Sequence, residues 1–198
     1  MILADIGNSF IKIYQKGSIK RYKHSDAVKA YANDRVYYIS VNNNTKKIPS
    51  TWIDIGDTIT LDTSYRGLGV DRKAVCCAVE DGIIVDAGSA ITVDVMLNSV
   101  HLGGYILPGI ESMLKAYSSI SPRLSHSFNP NIELNYLPQN TQDAISYSII
   151  SSIKALIENS ARGKVYFTGG DGKYLSKLFS NSIYDETLIF KGMMKGLQ

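Results

Sequence analysis

The chain's 198 residues leave room for one large domain or two small ones sharing a cleft. A dispersed net charge of +3, with no basic block longer than Lys46-Lys47, gives no support for a nucleic-acid partner, and no apolar run approaches the length of a membrane span. The N-terminus lacks a basic segment followed by an apolar core and cleavage site, so a cytoplasmic protein starting at Met1 is expected. Adjacent Cys76 and Cys77 match neither a metal-ligand spacing nor a redox Cys-x-x-Cys pair and read as buried thiols, while the three histidines are widely scattered.

Residues 1–6 form an apolar strand, residues 10–14 alternate, and Lys16-Gly17-Ser18 turns into a third short strand, which together predict an antiparallel meander. Ser25-Asp26 can cap a helix running to Asn33, and residues 36–41 read as a β-branched and aromatic strand ahead of an Asn42-Asn43-Asn44 loop. The weak pattern of residues 53–61 yields only a strand near 58–61. A loop over 63–69 leads to a helix over 71–79, ended by Gly82.

The second half repeats this plan. Residues 82–85 and 91–97 are predicted strands, Asn98-Ser99 a two-residue turn, and residues 100–106 the return strand. Ile110, Met113, Leu114 and Tyr117 fall at helical spacing, and residues 121–140, with three of the five prolines, form a loop able to lie over a site or a partner. Asn140-Thr141-Gln142-Asp143 starts the longest helix, whose apolar stripe is Ile145, Ile149, Ile153 and Leu156. The end of the chain reads as a strand over 164–168, a helix over 173–179, a strand at 188–190 and a short terminal helix from Gly192.

The chemistry concentrates at strand tips. Met1-Ile2-Leu3-Ala4-Asp5-Ile6-Gly7 is echoed by Gly82-Ile83-Ile84-Val85-Asp86-Ala87-Gly88 at a constant offset of 81 residues, and each copy runs into hydroxyl residues and a second strand. One Asp-x-Gly alone is a tight turn in most proteins; its repetition points to a nucleotide cleft. Gly7 lets backbone approach a phosphate, Asn8 and Ser9 offer hydrogen bonds, Asp5 can hold Mg²⁺, and Lys12 lies on the next strand. Thr168-Gly169-Gly170-Asp171 is a third glycine tip. An Asp86 tip that is dry and faces phosphate calls for a cation.

In this order the elements resemble the actin, hexokinase and Hsp70 ATPase superfamily, which implies an α/β chain of two duplicated ribonuclease-H-like domains, residues 1–80 and 81–198, with an interdomain nucleotide cleft. More specifically, Asp5-Ile-Gly-Asn-Ser9, Gly69-Val-Asp-Arg72, Asp86-Ala-Gly-Ser-Ala-Ile-Thr92, Gly103-Gly-Tyr-Ile-Leu-Pro-Gly109 and Thr168-Gly-Gly170 together resemble type III pantothenate kinase. Residues 33–60 match nothing in that pattern.

The resemblance implies that Asp5, Ile6, Gly7, Asn8, Ser9, Phe10, Ile11 and Lys12 bind ATP and its Mg²⁺, and that Ser89 contacts the nucleotide phosphates. Asp86 is similar to the family's monovalent-cation ligand, for K⁺ or NH₄⁺. Gly69, Val70, Asp71 and Arg72 match the pantothenate motif, with Asp71 the general base, and Tyr65 and Thr141 correspond to further pantothenate contacts, Thr141 across a homodimer seam. The residues read alone leave Asp71 as a helix cap, Tyr65 as a packing residue and Thr141 as a cap. Serine stands where the family has threonine at Ser9 and Ser89, and the segment from Asp71 to Asp86 is short. Rival readings are another small-metabolite or sugar kinase, or a silent regulatory relative; retention of Asp5, Asp71 and Asp86 argues against the latter.

Overall fold

Five consecutive buried residues, Ile2–Ile6, make β1, the centre of a mixed sheet and the reason its sequence shows no polar alternation. In this computed structural model, which describes residues 1–41, 48–160 and 163–198, β1 pairs antiparallel with β2 (Ile11–Gln15) and parallel with β4 (Val36–Ser40). With β3 (Ser18–Tyr22) and β5 (Trp52–Asp54) the sheet order is β3-β2-β1-β4-β5. The Asn42 to Asn44 loop and the Lys46-Lys47 pair lie outside the described residues.

Helix α1 is His24–Ala30, so Ser25 sits inside it, bonded to the Asp26 carboxylate, and the N-cap position falls to Lys23. The strand expected at 58–61 does not form. Gly56–Thr58 is a 3-10 turn, started where the Asp54 carboxylate accepts the Gly56 N–H, and only the short β6 (Asp62–Thr63) follows.

Helix α2 is Val70–Cys77, which buries Cys76 and leaves Cys77 half-buried, its thiol donating to the Thr60 carbonyl. The second meander is β7 (Gly82–Ala87), β8 (Ala90–Leu97) and β9 (Val100–Pro108), followed by α3 (Ile110–Ile120), α4 (Thr141–Ser160), β10 (Val165–Thr168), α5 (Gly172–Ser176) and β11 (Ser182–Tyr184). Its order β9-β8-β7-β10-β11 repeats that of the first sheet, and β6 pairs with β9 at Val100 and His101. At Asn98-Ser99 both residues take positive φ, 50° and 64°, as a two-residue hairpin requires.

Residues 188–190, expected as a strand, begin the last helix, α6 (Leu188–Lys195). Three apolar residues fit either period, and what decides is Met193, buried with Leu188, Ile189 and Phe190 at helical spacing. In α4 the buried stripe runs Ile145, Ile149, Ile153, Ile157, while Leu156 is 41% exposed.

The chain divides into two compact units. Met1–Asp81, Met96–Gly103 and Glu186–Gln198 form the first, and Gly82–Val95 with Gly104–Asp185 the second. In the first, Ile6, Ile11, Ile13 and Trp52 pack a core over the sheet, and α6 crosses α2 so closely that a Cβ on Gly192 would overlap the Ala74 carbonyl. In the second, Ile83, Val85, Ile91 and Phe167 pack against Ile149, Ile150 and Ile153 of α4.

Candidate active site

The first tip is built by strand register. Asp5, only 7% exposed, faces Lys12 across the β1–β2 ladder, and the Lys12 ammonium lies 3.2 Å from its Oδ2. A carboxylate at that depth requires such a partner. Gly7 closes the turn through its N–H to the Phe10 carbonyl, leaving Asn8 and Ser9 exposed, while Ile6 and Ile11 are core side chains that can offer a ligand only backbone. Arg21 covers the Phe10 ring at 3.8 Å, and His24 Nε2 lies 3.0 Å from the Gly7 carbonyl, a contact no sequence spacing announced.

Helix α2 carries the second group. Asp71 sits in its first turn, where Oδ1 accepts the Arg72 N–H at 2.8 Å. Burial pushes the Asp71 carboxyl up from its ordinary value, the Arg72 N–H works against that shift, and the charge on Asp5 reinforces it. Asp5 and Asp71 therefore lie close enough to repel. Gly69 holds the N-cap position with no side-chain cap, and a Cβ there would stand 2.5 Å from Asp71 Oδ1, so glycine keeps the carboxylate in place. Arg72 is 6% exposed with its guanidinium 4.9 Å over the Tyr65 ring. The first unit thus groups Asp5, Lys12 and Asp71, with Arg72 and Tyr65 attached through α2. A cavity of about 450 Å³ at the far end of α2, lined by Thr60, Asp62, Cys77 and Lys195 among others, includes none of these residues.

The second unit brings the other two tips together. Thr168 pairs with Asp86 between β10 and β7, and the Asp171 N–H donates to the Ala87 carbonyl at 3.0 Å. Gly169 has φ 83°, and a Cβ there would come within 2.4 Å of both the Ala87 carbonyl and Asp86 Oδ1. Burial, then the charge of Glu111, raises the Asp171 carboxyl. Ser89 is exposed, its carbonyl held by the Gly109 N–H and the Ser112 hydroxyl at the start of α3, each at 3.0 Å. Thr141 is exposed and does not cap α4: Asn140 Oδ1 accepts the Asp143 N–H instead.

Sequence reasoning missed Thr92. The turn bond from the Gly88 N–H goes to the Ala90 carbonyl, one residue sooner than Gly7 to Phe10, and Thr92 lies two residues further along β8. The Thr92 hydroxyl is buried with no hydrogen-bond partner among the described residues. An orphaned buried hydroxyl oxygen on the strand after the Asp86 tip is the kind of donor that fits K⁺ or NH₄⁺. Asp5, a hard oxygen donor whose charge is felt at Asp71, fits Mg²⁺ carried by a nucleotide.

Two sheets of one repeated order with acidic tips define an actin-like ATPase fold. A solved structure of a putative 2-dehydro-3-deoxygalactonokinase from Sinorhizobium meliloti is similar at TM-score 0.62 and 8% identity, covering 98% of this chain and 97% of that one. Component A of the Acidaminococcus fermentans (R)-2-hydroxyglutaryl-CoA dehydratase is similar at TM-score 0.53 and 10% identity, covering 100% and 99%. Both speak to the fold alone.

A sequence profile described as type III pantothenate kinase matches residues 27–163. Type III pantothenate kinases of Helicobacter hepaticus, 48% identical over 100% of this chain and 98% of the relative, and of Campylobacter jejuni, 44% identical over 98% and 95%, align along almost the whole length. A Campylobacter jejuni structure described as a conserved putative Baf family transcriptional activator has TM-score 0.91 at 44% identity, covering 100% and 97%. The chain belongs to the type III pantothenate kinase family, whose reaction, phosphorylation of pantothenate, is the first step of coenzyme A biosynthesis.

Proposed function

We propose that Asp71 is the base in transfer of the γ-phosphoryl group of ATP to the primary hydroxyl of pantothenate. The observation that carries this reading is a carboxylate raised by burial and by Asp5, at a helix start that Gly69 keeps clear. A base tuned upward takes a hydroxyl proton more readily as the new P–O bond forms and the bond to ADP breaks. Mg²⁺ bound with ATP supplies charge neutralisation at the phosphates. Asp5 and Lys12, with the backbone from Ile6 to Ile11, position that nucleotide, and Ser89 of the second unit contacts its phosphates. Arg72, Tyr65, Gly69 and Val70 border the pantothenate pocket.

Asp86 holds a monovalent cation, K⁺ or NH₄⁺, a reading supported by the orphaned Thr92 hydroxyl on the following strand. The enzyme works as a homodimer in which Thr141 of one copy reaches the other's pocket. Supporting this, Thr141 is released from capping and Leu156 of α4 is left 41% exposed; a monomer with full activity by light scattering would exclude it. The duplicated halves are residues 1–80 and 81–198, and the compartment is the cytoplasm, with neither nucleic acid nor membrane as partner. No helix among the described residues is long and apolar enough to cross a membrane.

The test is ADP release with and without pantothenate, in K⁺ and NH₄⁺ buffers. Pantothenate-dependent release is expected. Its absence in every buffer would remove the assignment and favour a regulatory role of the kind named for the Campylobacter jejuni neighbour.

A further inference from the structure

β6 is only two residues long, and the loop after it carries Tyr65. So short a strand fixes little by its backbone bonds. Side chains supply what the ladder lacks. Thr63 Oγ1 lies 2.7 Å from His101 Nδ1 and also accepts the Tyr65 N–H at 3.0 Å. His101 is 2% exposed on β9, opposite Thr63 in the ladder, and the Tyr65 ring rests on its imidazole with centroids 6.0 Å apart. Arg72 meets the same tyrosine ring, its guanidinium 4.9 Å from the centroid.

From these contacts we infer that His101 and Thr63 are positioning residues for pantothenate recognition, acting through Tyr65 and Arg72. The inference rests on the reading that Tyr65 and Arg72 border the pantothenate pocket. One hydroxyl serves both the backbone of Tyr65 and the buried imidazole, so the ring is anchored at its own peptide and at its face. Arg72 keeps its charge over that ring while buried, and a guanidinium whose aromatic neighbour swings away loses the contact that directs it. Neither His101 nor Thr63 takes part in the phosphoryl chemistry, so its signature is confined to one substrate.

Thr63→Val keeps shape and removes the hydroxyl; His101→Phe keeps a ring against Tyr65 and removes Nδ1. Each is expected to raise KM for pantothenate about tenfold, His101→Phe removing the bond between imidazole and hydroxyl and Thr63→Val removing that bond and the one from the Tyr65 N–H. KM for ATP should hold, with kcat changed far less. Thr63→Ser and His101→Asn, which restore a bonding group at the same place, should recover most of the loss. A merely structural histidine would lower the melting temperature and depress all parameters together, and that result overturns the inference. Thr63 is only half-buried, so Thr63→Val carries the test if His101→Phe does not fold. Tyr65→Ala separates the two layers of the argument. If it leaves KM for pantothenate unchanged, the pocket reading fails and the inference with it; if it raises KM while Thr63→Val does not, the inference alone fails.

Discussion

Opposite Asp5 the neighbouring strand places Lys12, whereas the strand that follows the Asp86 tip carries Thr92, buried and without a hydrogen-bond partner among the described residues. The first carboxylate is neutralised by a cation built into the chain, at 3.2 Å. At the second, the chain supplies a hydroxyl oxygen with no hydrogen-bond partner among the described residues. The two tips share the turn and the acid and differ in the side chain that follows them, an ammonium at Lys12 and a hydroxyl at Thr92. A built-in ammonium gives one fixed charge, whereas a hydroxyl oxygen can admit or release an ion, which under the proposed reading would make the second tip responsive to its ionic surroundings.

If the first unit carries the fixed chemistry, the largest losses belong there. Asp71→Asn should lower kcat by about a thousandfold, the middle of the range for removing a general base, with KM for pantothenate little changed. Because burial raises this carboxyl, the native fold holds its proton more tightly than the unfolded chain does, and stability falls as pH rises from the ordinary carboxylate value through the raised one. At neutral pH the ionised Asp71 therefore costs stability. Asp71→Asn should melt higher than wild type there, and the acid limb of the wild-type rate profile should lie above the ordinary carboxylate range. A variant that turns over normally would remove Asp71 as the base.

Lys12→Met tests the built-in cation. It strands the buried Asp5, and we expect kcat/KM for ATP to drop by about a hundredfold, the scale of losing one electrostatic contact to a reacting phosphate. Added K⁺ should not rescue it, since the positive charge at the first tip is an ammonium covalently part of the chain; rescue would erase the distinction between the tips. Gly69→Ala should be milder, about tenfold in kcat, because the new methyl displaces the Asp71 carboxylate without straining the backbone, whose φ of −60° alanine tolerates. Its melting temperature should stay close to wild type, and a large fall would mean that Gly69 serves the fold instead.

The smallest effect belongs to Thr92→Val. Removing a buried hydroxyl without a partner should leave stability equal or slightly higher. Activation by K⁺ at constant ionic strength should weaken by a few fold, consistent with losing one of several oxygen ligands. Thr92→Lys is the sharper version: copying the first tip's solution into the second should make the rate insensitive to K⁺. An unchanged K⁺ response in both variants would separate Thr92 from the cation.

Both meanders, their tips and the repeated order were legible because buried central strands and glycine turns leave strong local marks. Asn98-Ser99 and the Asn140 cap are of this kind. Thr92 was not singled out because an isolated threonine in a strand carries no mark of being buried without a partner, and the constant offset of 81 sets Val93, not Thr92, against Lys12. Leu156 was taken into the α4 stripe in place of Ile157, since both fit helical spacing from Ile153 and only packing chooses. The helix at 188–190 depended on α2 as its partner, and Thr63 with His101 on a contact between residues 38 apart. Non-local contacts of this sort leave no local pattern.

Helix α6 has a further consequence, for the order of events during synthesis. Residues 186–198 belong to the first unit, yet they leave the ribosome about a hundred residues after residue 81, a delay of roughly 5 to 20 s at ordinary elongation rates. Throughout that interval Ala74 lacks the glycine face that later presses on it, and Tyr14 lacks Phe190, which stacks on it at 5.2 Å. The later-made unit can close around its own core while the earlier one waits with apolar surface open to chaperones or to neighbouring nascent chains. Translation speed across residues 82–185 therefore sets how long the first unit stays incomplete.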